Sequence, residues 1–156
     1  MAISNTSSFL DFSKKLRSRV QEIRDRVESM RGKKVVVGIP KSAKYPNGKS
    51  VAEVAEQIEY GICDNGAPMK AGPRPFMRVA AAENKAKWNR MLQDGVRKAL
   101  RERRKPNLRP LMERLGERIK TDIQETMMSF PDPVYDTGRM YDSISVLKIN
   151  NDTLKT

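Results

Sequence analysis

The stretch Lys34-Val35-Val36-Val37-Gly38-Ile39-Pro40 decides the fold class, because it is a short apolar run rich in valine and ended by proline. Such a run is typical of a buried β-strand. Near the other end of the sequence, residues 143–149 alternate between apolar and polar side chains well enough to predict a closing strand. Two strands form only a marginal sheet. A further strand is therefore expected from residues 62–69, from the C-terminal tail or from another subunit.

The segment before the first strand predicts an amphipathic helix that begins near Ser8, its expected cap, and stops at Gly32. Its apolar face consists of Phe9, Phe12, Leu16, Val20, Ile23, Val27 and Met30. Its other face is rich in lysine and arginine, and we interpret the segment as a core helix with a solvated outer face. The alternative is a basic helix lying on a membrane surface, but Glu22, Asp25 and Glu28 alternate with the cations.

Three more helices are predicted between the two strands. Ser50 and Glu53 have the spacing of a capping box, which indicates the start of a short helix. Glycine and proline then impose an irregular loop over residues 62–75. A long helix is predicted over residues 76–104 and another over residues 108–128, each from apolar side chains at steps of three or four.

These elements predict an α+β fold, in which a small antiparallel sheet is packed by an N-terminal helix and two long central helices. The length of 156 residues is that of one ordinary domain. We divide the chain into an N-terminal amphipathic helix (residues 1–32), an α+β domain (residues 33–149) and a C-terminal tail (residues 150–156).

The residue types that are missing disfavour an enzyme. The sequence has no histidine, and so it lacks the usual general base and the commonest metal ligand. The single cysteine, Cys63, excludes an intrachain disulfide and a cysteine-rich metal site. No apolar stretch approaches the roughly 20 residues that cross a bilayer, and residues 1–8 lack the pattern of a signal peptide. We therefore expect no membrane association and action in the cytoplasm.

The charge balance predicts an anionic partner. The chain has 31 Lys and Arg against 19 Asp and Glu, a net charge of +12, which suits nucleic acid or acidic faces on other proteins. The densest basic cluster holds Arg97, Lys98, Arg101, Arg103, Arg104, Lys105 and Arg109. Part of it complements the dipole of the long helix. Since no aromatic residues are interleaved with it, the predicted contact is non-specific, with phosphates or with acidic partner surfaces.

Two groups of acidic residues and the glycines are the remaining candidates for chemical sites. Asp132 and Asp136 fall in a loop broken by proline, whereas Glu53, Glu56 and Glu59 step by three along the solvated side of a helix. We interpret both groups as structural, not as metal or acid–base sites. No phosphate-binding glycine motif is present.

Two short motifs remain. In Gly72-Pro73-Arg74-Pro75-Phe76-Met77-Arg78 the prolines stiffen the approach to the long helix, which Phe76 anchors in the core. In Asp136-Thr137-Gly138-Arg139-Met140 the glycine permits a tight turn before the last strand. The contact candidates are Arg74, Pro75, Phe76, Arg78, Asp136, Thr137, Gly138 and Arg139. We expect the three arginines to face a neighbour or to tie loops together.

The order of motifs resembles a phage family. Val37-Gly38-Ile39-Pro40 comes first, followed by a helix from Val51 to Gly61 and then by the Pro-Arg-Pro-Phe-Met-Arg motif. A long helix, a second helix with Leu115-Gly116 and the Asp-Thr-Gly-Arg-Met motif complete the series. This succession, over roughly residues 33–149, resembles the virion-morphogenesis or tail-completion proteins of tailed bacteriophages, also called minor tail protein Z-type.

The resemblance implies a structural subunit of the virion neck, assembled in the host cytoplasm, that completes the tail and joins it to the DNA-filled head. It implies a homo-oligomeric ring that contacts the tail terminator or head connector and lies near genomic DNA. It implies no enzymatic activity and no cofactor. The chain departs from the family in its short linker, Pro131 to Tyr135, where relatives often carry an insertion, and in a less distinctive N-terminal helix.

Two other functions stay open from the residues alone. The first is a stand-alone basic nucleic-acid-binding protein, which the net charge favours. The second is an enzyme with a carboxylate site, which no convergent motif supports.

Overall fold

The computed structural model describes residues 4–102, 106–134 and 137–150. Over these residues the chain forms helices and strands that we number in chain order. The helices are α1 (Ser4–Glu28), α2 (Val51–Tyr60), α3 (Phe76–Arg101), α4 (Arg109–Ser129) and α5 (Arg139–Ser143). The strands are β1 (Lys34–Gly38) and β2 (Ser145–Asn150). The predicted α+β class with a small antiparallel sheet is confirmed.

The sheet consists of β1 and β2, which pair antiparallel with an irregular register between Val36 and Val37. No third strand joins them within the described part of the chain. The loop that was considered as a source of one contributes only an isolated bridge between Ile62 and Pro68. Asn150, predicted to begin the tail, is instead the last residue of β2.

Helix α4 lies at the centre of the domain, with α3 on one side and both strands on the other. Two glycines allow the close approach. A Cβ atom on Gly95 of α3 would lie 2.4 Å from Cδ1 of Leu111. A Cβ atom on Gly116 of α4 would lie 2.9 Å from a methyl group of Val35 and 2.9 Å from one of Val146. Because these glycines have no side chain, α3, α4 and the sheet can pack this closely.

The core has two apolar clusters, one at each end of the pair formed by α3 and α4. The first surrounds the fully buried side chains of Phe76, Met127 and Ile144. The second contains Ala99, Leu108, Leu111, Met112 and Leu115. Ile119 packs against both clusters and connects them.

Helix α5 is an element that the sequence analysis missed. The chain was predicted to turn at Asp136–Met140 and to enter a strand from Ser143, but residues 139–143 form a short helix. Five residues are too few to show a helical period. The predicted turn glycine is correct, because Gly138 has a φ of 75° and precedes the helix.

Helix α1 differs most from its prediction as an ordinary core helix. Phe9 is 69% exposed and Phe12 is 64% exposed, and Leu16, Val20, Ile23 and Val27 are exposed as well. Among the described residues, Arg26 near the end of α1 reaches the last turn of α3, and Met30, just beyond the helix, packs against the second cluster. The helix begins at Ser4 instead of Ser8.

We expect Gly116→Ala to destabilise the domain, because the added methyl group would overlap valines on both strands. Overpacking of this kind costs about 1–3 kcal/mol, which exceeds the gain of up to about 1 kcal/mol in helix propensity. Urea unfolding of the full chain measures the difference.

Gly38→Ala is the matched control. Its Cβ atom would meet only Leu147, at an ordinary 3.6 Å, and a change within about 0.5 kcal/mol is expected. Equal stability of the Gly116→Ala variant and the wild type would contradict the role given to this glycine.

Candidate functional site

The Pro-Arg-Pro-Phe motif builds the start of α3. The backbone N–H of Arg74 donates to the carbonyl of Ile58 in α2 at 2.9 Å, which ties the motif to that helix. Pro75 occupies the N-cap position of α3 and offers no side-chain hydrogen bond. Phe76 is completely buried in the first cluster. The predicted anchoring of the helix by Phe76 is confirmed.

The cap that Pro75 cannot supply comes from Glu59. Its carboxylate accepts hydrogen bonds from the backbone N–H of Met77 at 3.0 Å and of Arg78 at 3.1 Å. It also accepts one from Nε of Arg78 at 3.0 Å. A carboxylate at this position satisfies free N–H groups and complements the helix dipole.

Glu59 was predicted to lie on the solvated side of α2, and that prediction is wrong, because the residue is only 7% exposed. The guanidinium of Arg78 donates to the Glu59 carbonyl at 2.9 Å and stacks over the ring of Tyr60, 4.8 Å from its centroid. Both Glu59 and Arg78 thus hold α2 against α3. Arg78 was expected to face a neighbour or to tie loops, and it forms a tie.

We expect Glu59→Ala to lower the free energy of unfolding by about 2 kcal/mol, because it removes the acceptor of two partly buried N–H groups at the start of α3. Glu56→Ala removes a carboxylate from an exposed position of the same helix and is expected to cost less than about 0.5 kcal/mol. Thermal or urea unfolding compares the two. Similar losses in both variants would contradict the capping role.

The two motifs meet at a small concave site of about 270 Å³. Arg74 lies on one side and forms an ion pair with Asp132 at 2.9 Å. Thr137 and Gly138 lie on the other side. Tyr45 and Tyr141 complete the polar part of the lining, and Ile58, Pro133, Val134 and Met140 also line the site. No local sequence signal connects the two motifs, because they are about 60 positions apart in the chain.

Arg139 also ties loops together. Its Nε donates to the carbonyl of Lys44 at 3.0 Å, and so it links α5 to the turn that follows β1. Asp136 lies outside the described residues, and Asp132 forms an ion pair with Arg74. The arginines of both motifs therefore hold the scaffold.

A buried carboxylate joins α3 to α4. Asp122 is 2% exposed and accepts hydrogen bonds from Lys87 at 2.8 Å and from Trp88 Nε1 at 2.7 Å. Arg118 pairs with it at 2.9 Å. Burial would raise the pKa of Asp122, but the hydrogen bonds from these three residues outweigh burial and hold its pKa below the ordinary 3.8. No sequence pattern singled out this residue.

The lowered pKa of Asp122 predicts a pH dependence of stability. The stabilisation is fully present above the unfolded value of 3.8 and is lost as the pH falls through the lower, folded value. At about pH 7 we expect Asp122→Asn to be less stable than the wild type by about 2 kcal/mol, with the gap narrowing toward about pH 3. Urea unfolding over this range measures it. A gap that does not narrow, or one shown equally by the exposed control Glu125→Gln, would contradict the assignment.

The basic end of the domain, defined here as α1 with the C-terminal turns of α3 and the start of α4, is the strongest electrostatic feature. A groove between α1 and α3 is lined by Lys15, Arg19, Arg26 and Arg101, together with Glu22, Ile23 and Glu102. Arg26 donates to the backbone carbonyls of Ala99 and Glu102. The structure therefore brings together the two cationic segments that the sequence placed far apart.

Part of the predicted cationic cluster lies in this region. Arg97 pairs with Asp94 at 3.2 Å and Arg109 pairs with Glu113 at 2.9 Å. These carboxylates offset part of the positive charge of the cluster. Arg101 lines the groove, and Lys98 is exposed on the last turns of α3. Residues 103–105 lie outside the described residues.

Charge is divided unevenly along the chain. Residues 8–38 hold nine Lys and Arg against four Asp and Glu, and residues 83–118 hold twelve against five. Residues 39–82 hold six against four, and residues 119–143 hold two against five. The excess positive charge thus belongs to residues 8–38 and 83–118, which include α1 and most of α3, while residues 39–82 and 119–143, which include α2 and α5, are together close to neutral.

The described residues contain no group of three or more Cys, Asp or Glu side chains placed to hold a metal ion. Over the same residues, no helix is both long and apolar enough to span a membrane. No protein-family model, curated protein or solved structure matches the chain.

Proposed function

We propose that the chain is a structural subunit of the neck of a tailed bacteriophage, where it completes the tail and joins it to the DNA-filled head. The observation that carries the proposal is the ordered series of motifs over residues 33–149, which resembles the tail-completion proteins. On this proposal the protein acts by binding neighbours in the virion and not by catalysis.

The positions of the motif residues support a scaffold role. Arg74, Arg78 and Arg139 each bind a residue of another element, and Phe76 fills the core. None of these contacts brings a nucleophile and a base together. The small site that the motifs share is formed largely by residues that hold two loops in place.

The basic end supports contact with an anionic neighbour. Exposed Lys and Arg around the groove between α1 and α3 suit acidic faces of the tail terminator or head connector, and they suit the phosphates of DNA that passes through a neck. Because copies in a ring present the same face, the cationic C-terminal turns of α3 would recur around the ring.

Deletion of the gene is expected to leave filled heads and finished-length tails that are not joined. Electron microscopy of lysates counts joined and separate particles, and a plasmid copy of the wild-type gene is expected to restore joining. Normal joined particles from a clean deletion would remove the proposal.

Variants supplied on the plasmid test whether the basic end is needed to join heads and tails. Arg97→Gln with Lys98→Gln and Arg101→Gln is expected to lower the yield of joined particles at least about tenfold, because three cations leave the proposed contact surface. Lys41→Gln with Lys44→Gln and Lys70→Gln makes the same change in net charge elsewhere and is expected to complement normally. Equal yields from both triple variants would contradict a role for the basic end.

The groove also favours the second candidate function, a stand-alone nucleic-acid-binding protein. That function predicts tight binding of random-sequence duplex DNA by the isolated chain, with affinity that falls steeply as salt rises. A fluorescence-anisotropy titration at low and at moderate salt measures it. Absence of binding at low salt would remove this alternative and leave acidic protein faces as the partner of the basic end.

A further inference from the structure

Helix α1 carries a row of large apolar side chains that the described part of the chain leaves largely exposed. Leu16 is 54% exposed and Ile23 is 51% exposed. The complete row is Phe9, Phe12, Leu16, Val20, Ile23 and Val27. At 1.5 Å per residue it extends for about 27 Å. An apolar row of this length on an exposed helix is typical of a protein contact surface.

Cations border this row on both edges. At 100° per residue, Arg17 and Arg24 lie along one edge and Lys15, Arg19 and Arg26 lie along the other. The acidic residues of the helix lie farther from the row and are Asp11, Glu22, Asp25 and Glu28. Two α1 helices placed side by side would therefore set arginine against arginine along the seam, which is unfavourable. The row instead requires a partner surface that is apolar and bordered by carboxylates.

Such a surface exists on the chain itself. Glu53, Glu56 and Tyr60 are exposed and share one face of α2, at positions i, i+3 and i+7. Ile62 follows and is 44% exposed. Helix α2 contains no lysine or arginine, and it packs against α5, in which Asp142 is exposed. Arg78 of α3 lies over the Tyr60 ring but is paired with Glu59, so Glu53 and Glu56 are the exposed carboxylates of this face.

The two surfaces belong to different ends of the domain. Helix α1 meets the body at the C-terminal end of α3, through Arg26 and Ala99. Helix α2 meets the body at the N-terminal end of α3, through Glu59 and Met77. These ends are about 39 Å apart along the 26 residues of α3. One copy thus offers the two complementary surfaces in different directions.

We propose that α1 of one copy docks on the acidic and apolar face of α2 in the next copy, in a head-to-tail contact. The inference rests on the proposed function for the expectation that copies assemble, and it adds which surfaces meet. A head-to-tail contact uses two different patches, and it closes into a ring when the rotation between copies permits. The apolar row supplies the buried area, and the flanking arginines select the carboxylates of α2 over a second α1.

The test uses the purified full chain in light scattering coupled to size exclusion and in sedimentation velocity. At about 100 µM and about 0.05 M salt we expect the wild type to form assemblies larger than a dimer, which weaken toward about 0.5 M salt. The donor variant Leu16→Gln with Ile23→Gln and the acceptor variant Glu56→Lys with Ile62→Thr are each expected to weaken association more than about tenfold.

Two control variants carry similar substitutions at exposed positions outside the proposed contact. Asp11→Gln with Ser18→Gln alters the back of α1, and Glu83→Lys with Val36→Thr repeats the acceptor changes at exposed positions elsewhere. Both controls are expected to assemble like the wild type. All substituted positions are exposed, so circular dichroism is expected to show unchanged helix content.

Mixing the donor and acceptor variants gives the sharpest result. A head-to-tail contact leaves one intact donor and one intact acceptor in the mixture, and so it predicts a heterodimer that grows no further. A contact between two α1 helices predicts that the acceptor variant assembles like the wild type. That outcome, or a wild type that stays monomeric under all these conditions, overturns the inference.

These outcomes are separate from those that test the proposed function. Joined particles from a gene deletion would remove the neck role and leave the contact between copies as measured. Unjoined heads and tails from the gene deletion, together with normal assembly by the acceptor variant, would keep the neck role and remove the contact between α1 and α2.

Discussion

The packing of α4 between α3 and the sheet is the constraint on which the rest of the structure depends. A two-stranded sheet has little stability of its own, and here both strands rest on α4. The approach is close because Gly116 has no side chain to separate the helix from Val35 and Val146. Helix α4 also contributes to both apolar clusters. Any change that moves α4 outward would therefore loosen the sheet, α3 and both ends of the domain together.

Sequence patterns within single segments were sufficient to predict most of the helices and strands. The valine run of β1, the capping pair of α2 and the apolar period of α3 and α4 each depend on residues within one segment, and the predicted elements appear at those places. Ser50 accepts the predicted hydrogen bond from the N–H of Glu53 at 3.4 Å. Helix α5 lacked such a signal because its five residues complete barely more than one turn.

Contacts between segments were beyond the reach of sequence reasoning. The regular spacing of Glu53, Glu56 and Glu59 does not distinguish one of these residues from the others. Of the three, only Glu59 is buried, because the start of α3 lies over it. Asp122 occupies a similar position under Lys87 and Trp88. The spacing of the apolar residues in α1 correctly predicts that they share one face of a helix, but it does not predict whether that face is buried. Burial depends on where the rest of the chain packs.

The acidic residues explain why the two ends of the domain differ. Glu59, Asp122 and Asp132 are committed to internal ties with arginine, lysine or backbone N–H groups. Because these ties neutralise Arg74 and Arg78 as well, the arginines that the motifs draw attention to are those least free to bind a neighbour. Apart from Arg26, which ties α1 to α3, the cations around the groove between α1 and α3 make no such contribution to the motifs. If the proposed function holds, binding is therefore expected to depend on exposed residues such as Lys15, Arg19 and Arg101, and the motifs are expected to maintain the scaffold that presents them.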